Sequence, residues 1–263
     1  MLPASAVDIL LSSPVQPGFF LSGVFTPPEG NEFYVQILLR TLHFIAGIIW
    51  IGHLYFFNLV NVNLMKALDG PTKGKVIPQL MPRALWWFRW GALITVLVGL
   101  MYYAMYILKA DAHNANANVW MVLLVWLIIP VVTFAIEMVV VKRVNSGWVL
   151  AAIVTLLVLL MALGIICWLK NQLAASGSNK SYSIGIGGAI GLIMLFNVWG
   201  IIWPNQKRII SWTADNAANG TAVPAESAKL ARVAFLASRT NTWLSVPMLF
   251  WMGASSHFTV LGI

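Results

Sequence analysis

The stretch WVLAAIVTLLVLLMALGIICWL, residues 148–169, carries no charged residue and no proline. About 20 consecutive apolar residues cross the hydrocarbon core of a bilayer as a helix, so this stretch reads as a membrane span. Five more segments read the same way, at roughly 35–60, 85–108, 119–141, 182–203 and 241–261. Composition agrees with them. Of the 263 residues 60% are hydrophobic and 9% charged, whereas a soluble domain carries about 25% charge. Mean hydropathy is +0.82. The expected fold class is all-α, an integral membrane bundle of about six transmembrane helices.

Charge between the spans orients them. An even number of spans puts both termini on one side. The first, third and fifth loops hold Lys66, Lys73, Lys75, Arg83, Lys142, Arg143, Lys207, Arg208, Lys229, Arg232 and Arg239, against only Lys109, Lys170 and Lys180 opposite. Basic loops stay in the cytoplasm, so both termini are expected on the periplasmic side of a bacterial inner membrane. The net charge of +8 therefore reports topology and lipid contact, and no nucleic acid is expected as a partner. Residues 1–34, with Pro14, Pro17, Pro27 and Pro28 and only acidic charges, read as a periplasmic or interfacial arm, without the basic start of a signal peptide. Residues 35–263 read as the bundle. Within it 205–239 is expected to be a cytoplasmic loop containing a short helix over Glu226–Leu236.

Cys167 is the sole cysteine and lies inside a span. A Cys-x-x-Cys-His attachment is therefore absent, and no c-type haem is expected. The glycines of SIGIGGAIG, 183–191, open an apolar span rather than follow a strand. They do not meet the context of a dinucleotide fingerprint, and Gly187 and Gly191 are expected to let a neighbouring helix approach.

Ionisable residues inside spans are functional candidates, and they sort by depth into two groups. Arg40, His43 and His257 lie near the outer side. At 1.5 Å per residue His43 sits about 10 Å and His257 about 6 Å from the outer ends of their spans. Two imidazoles at similar depth on different helices suit the two axial positions of a b-type haem iron, with Arg40 beside a propionate. The alternative is that each histidine bonds a carbonyl of a neighbouring helix. His53, Asn58, Arg89, Glu137 and Asn197 lie toward the inner side and are expected to converge on one polar pocket. Within it Arg89 and Glu137 would alternatively form an ion pair or reach the headgroups. His53, ten residues after His43, is turned about 80° away from it and cannot serve the same iron. Trp86, Trp87, Trp90, Trp199 and Trp203 read as an aromatic belt, or alternatively as rings that stack on a planar substrate. His113 and Asp111 are expected in a solvated outer loop, with too few ligands for a metal.

The stretches LHFIAGIIWIGHLYFFN (42–58), PRALWWFRWGA (82–92), NVWGIIWPNQKRI (197–209) and ASRTNTWLSVPMLFWMGASSHF (237–258) resemble the membrane domain of the bacterial urate oxidase family. The resemblance implies oxidation of urate to 5-hydroxyisourate at the membrane, with electrons passing to a cytochrome c domain. The sequence ends at Ile263 without such a domain, so a separate cytochrome c or a larger membrane redox complex is the expected partner. Burial and charge then give the roles. His53 and Glu137 are the catalytic candidates, Arg89, Asn58 and Asn197 the substrate-binding ones, and His43, His257 and Arg40 would hold the haem. A non-catalytic or electron-transfer subunit of a respiratory or photosynthetic complex is the competing expectation. A transporter is disfavoured by the lack of an evident inverted repeat.

Overall fold

A computed structural model describes residues 31–144, 146–257, 259 and 261. The expected N-terminal arm lies outside them except for 31–34, which are already helical. Six long helices account for nearly all of the described residues: α1 (Asn31–Ala67), α2 (Gly70–Asn114), α3 (Val119–Arg143), α4 (Gly147–Ser176), α5 (Asn179–Asn219) and α6 (Glu226–His257). No strand occurs among the described residues. Of the described residues, 31–38 and those from Leu39 onward fall in separate packing units, and the second contains every candidate residue.

Five helices, α1 to α5, are long and apolar enough to cross a membrane, and the chain is a multi-pass membrane protein. The sixth expected span falls on α6. That helix is 32 residues long, but Asn241, Ser245, Pro247 and Ser255 interrupt its apolar run, and three of those four are buried. Its polar residues face the protein rather than lipid. The outer faces are the reverse: Leu156, Leu159, Leu160 and Leu163 of α4 are all more than half exposed, as lipid-facing leucines should be.

The most apolar stretch of α5 is 72% buried, against 17–33% for α1 to α4, which makes α5 the central helix. Small residues allow this. A Cβ at Gly187 would lie 3.2 Å from the Trp251 side chain and 3.3 Å from the Met248 carbonyl, so the expected close approach of a neighbour occurs there, by α6. Gly191 differs from expectation. A Cβ there would meet nothing within 4 Å, because Gly191 lines a cavity. At Gly91 of α2 the backbone of α1 comes as close, 3.2 Å from the Ala46 carbonyl and the Trp50 N–H.

Local signals set the helix ends. The Asp69 side chain accepts the Thr72 N–H at 2.8 Å and caps α2, and hydrogen bonding from the Thr72 side chain first and its N–H second holds the carboxyl pKa below the ordinary range. Asn118 caps α3 and Ser178 caps α5 in the same manner, as short polar side chains at this position do. Asp111, expected in a solvated loop, lies instead in the last turns of α2 and is buried. Its Oδ2 accepts from the Ser178 N–H at 2.7 Å and from the Ser178 and Ser181 hydroxyls at 2.6 Å, fastening the end of α2 to the start of α5. His113 is exposed.

The expected loop at 205–239 is helical as far as Asn219 and again from Glu226, leaving a connection over 220–225. Gly220 ends α5 in the left-handed conformation, φ +69°, and an ion pair between Arg208 and Glu226 bridges the turn. Pro204 does not stop α5 because a π-helical turn over Asn197–Ile202 immediately precedes it and accommodates the missing N–H. Similar turns occur at Phe56–Asn61 and Tyr103–Leu108.

Gly91→Val should lower stability by about 1–3 kcal/mol, the usual effect of forcing atoms into a packed contact. The loss should appear as a lower thermal midpoint in detergent.

Candidate functional site

A cavity of about 790 Å³ is walled by α1, α2, α5 and α6, with Trp126 of α3 at one side. It collects the outer group of candidates: Arg40, His43 and His257 all line it, joined by Lys180 of α5. The His43 ring packs on Gly99 of α2, where a Cβ would lie 2.8 Å from its Cε1 and Nδ1. Its Nδ1 bonds the Thr95 carbonyl at 2.9 Å. A carbonyl can only accept, so Nδ1 carries the proton and Nε2 of the neutral ring keeps its lone pair. The two readings of His43, carbonyl partner and axial ligand, are thus compatible, since each uses a different nitrogen. Arg40 stands 5.9 Å from the Tyr102 ring centre.

The inner candidates do not form one pocket. Glu137 of α3, 2% exposed, accepts through Oε1 from Asn197 Nδ2 at 2.8 Å. The same nitrogen donates to Asn241 Oδ1 at 2.9 Å, and Asn241 Nδ2 donates to the Met194 carbonyl at 2.9 Å. Asn197 and Asn241 are fully buried. Asn58 turns to α6 at another level, donating to Ser238 Oγ at 2.8 Å and to the Leu54 carbonyl at 2.9 Å.

Among the described residues Arg89 has no carboxylate partner, so the alternative of an ion pair with Glu137 is not realised. Its guanidinium lies over the Trp203 ring at 3.6 Å from the centre, with Trp199 at 5.9 Å. Nε and Nη1 are buried without a protein hydrogen-bond partner. The Trp199 indole N–H donates to the Arg89 carbonyl at 3.2 Å, fixing the ring beside it. Trp86, Trp87 and Trp90 are exposed, as a belt requires.

His53 stands apart from both groups. Its Nδ1–H donates to the Ile49 carbonyl one turn back at 2.7 Å, and it lines a separate groove of about 380 Å³ between α1 and α2 with Phe56, Leu80 and Ala84. Among the described residues no cluster of three or more His, Cys, Asp or Glu gathers as for a bare metal ion.

Sequence reasoning missed Asn241, Ser238, Ser245 and Lys180. Their signal was present: Ser238, Asn241 and Ser245 recur at helical spacing on α6, the mark of one face, and that face is polar within an apolar helix.

A family model described as urate oxidase N-terminal matches residues 32–262 of the chain. No curated protein and no solved structure matches it.

Asn197→Leu should lower stability by about 1–3 kcal/mol, because it leaves the buried Glu137 carboxyl and Asn241 amide without their donor. Asn63→Leu, which changes an exposed asparagine, should leave the unfolding midpoint unmoved.

Proposed function

Because the chain belongs to the urate oxidase N-terminal family, we propose that it is a membrane oxidoreductase acting on urate or a closely similar planar anion and delivering electrons to a cytochrome. The observation that carries this reading is Arg89. A guanidinium with two buried and unpartnered N–H groups, stacked on Trp203, is a receptor for an anion that accepts two bonds in one plane. The neighbouring indole faces suit a flat heterocycle.

Urate and water together give 5-hydroxyisourate, an electron pair and a proton. The protein must therefore bind the anion, take the proton and lead electrons away. Arg89 binds and orients. Glu137, held by Asn197, is the buried carboxyl available to receive a proton, while Asn58 and Asn197 position the polar interior. His53 is a second base, on the lipid-side groove.

Three features of the cavity support a b-type haem there. Its volume, about 790 Å³, lies within the range of ligand pockets, about 300–1,000 Å³. Its floor at Gly191 and Gly253 is open. His43 presents Nε2 with its other nitrogen already fixed, as second-shell bonding to an axial ligand requires. His43 and His257 would hold the iron, with Arg40 and Lys180 near the propionates. Bound there, the haem would supply a one-electron store. The acceptor beyond it is a cytochrome, on the periplasmic face of a bacterial inner membrane, with the basic loops in the cytoplasm.

A second reading, an electron-transfer subunit of a larger complex, is favoured by the separation of His53 from Glu137. Activity distinguishes the two. The purified protein should reduce added cytochrome c in a urate-dependent manner. Arg89→Ala should lower kcat/KM by about tenfold to a hundredfold, the worth of a charge-assisted hydrogen bond. No turnover, together with stoichiometric co-purification of other subunits, would favour the second reading.

A further inference from the structure

Polar side chains of other helices meet one face of α6. Ser238, Asn241 and Ser245 stand three and four residues apart, and each engages another helix. Asn58 of α1 donates to Ser238, Asn197 of α5 links Asn241 to Glu137 of α3, and the Tyr55 hydroxyl of α1 lies 3.0 Å from Ser245 Oγ. Since Ser245 Oγ donates to the Thr242 carbonyl at 2.7 Å, Tyr55 is the donor in that pair. The same helical spacing leads from Ser245 to Met248 and Met252, both of which line the large cavity. On α1, Tyr55 lies little more than one turn from Trp50, which also lines it. On α6, Asn241, tied through Asn197 to Glu137, and Ser245 are thus followed on the same face by the two methionines of the cavity wall.

Two buried atoms at the ends of this stretch have no protein partner: Asn197 Oδ1, beside Glu137, and Trp50 Nε1, of a cavity-lining ring. One is an acceptor and the other a donor. A cation would satisfy the oxygen and be repelled by the indole N–H. An anion would do the reverse. Water satisfies both, and buried waters are the usual partners of such groups inside proteins, where lipid offers none.

We infer that a file of waters runs along this face of α6 and lets the Glu137 carboxyl exchange protons with the cavity beside His43. In each exchange the carboxyl O–H bond breaks, its proton bonds to the adjacent water, and that water releases one of its own protons to the next. The carboxylate regains a proton by the reverse path, and no electron moves. The path does not depend on what the cavity binds or on the reaction proposed above.

Two measurements on the full chain in detergent test it, neither using activity. In a Cys167→Ala background, single cysteines replace Ser245 on the path and Ile165, which is fully buried on α4, away from it. Aqueous silver ion reacts with the thiolate, which forms where water reaches. Ser245→Cys should lose its capacity for later maleimide labelling under denaturing conditions, and Ile165→Cys should keep it. Protection of Ser245→Cys equal to that of Ile165→Cys would overturn the inference. Infrared spectra across pH, wild type minus Glu137→Gln, should show a carboxyl band that shifts on transfer to D₂O. Absence of a Glu137-dependent carboxyl band at every pH, or a band indifferent to D₂O, would equally overturn it. Failure of urate turnover with both results positive would count against the enzymatic reading alone.

Discussion

A carboxyl group buried among apolar helices needs hydrogen-bond donors from the protein, because the surrounding lipid supplies none. Glu137 meets this constraint by drawing three helices together: its own α3, α5 through Asn197 and α6 through Asn241. The arrangement explains why α5 is central and why α6 is the least apolar of the six. α6 brings the partners that the other helices cannot supply without placing polar side chains against lipid. The π-helical turn that begins at Asn197 belongs to the same device, since an added residue in a turn re-aims the side chains beyond it. It sets Asn197 toward Glu137 while Trp199 and Trp203 turn to Arg89.

Two chemically distinct places result, both built on α2 and α5. The cavity presents His43 and His257 with cationic groups beside them. The Arg89 site presents an unpartnered guanidinium between indole rings. The polar face of α6 differs from both, carrying hydroxyls and amides rather than charges.

Much of this is legible in the sequence because helical rise converts residue number into depth. The grouping of Arg40, His43 and His257 comes from counting residues inward from span ends, and all three line one cavity. The inner group is only partly legible. Depth places His53 near Asn58 but does not say which way either points, and His53 faces a groove between α1 and α2 while Asn58 faces α6. Asn241 stands at the boundary of an expected span, where an asparagine reads as a headgroup contact. The charges of the 205–239 segment suggest a loop, and the π-helical turn that carries the helix through Pro204 just before it leaves no mark in composition. Asp111 is hidden for a similar reason, since its three donors come from a helix start far along the chain.

The haem proposed for the cavity would be held by His43 and His257, which both line it. The most direct test is a reduced-minus-oxidised optical spectrum, with a pyridine haemochrome assay, of the gently purified protein and of its His43→Ala and His257→Ala variants. The account predicts a b-type signal near one haem per chain that each substitution abolishes or shifts. A wild-type protein without haem, or spectra unchanged in both variants, would contradict it and return the two histidines to structural roles.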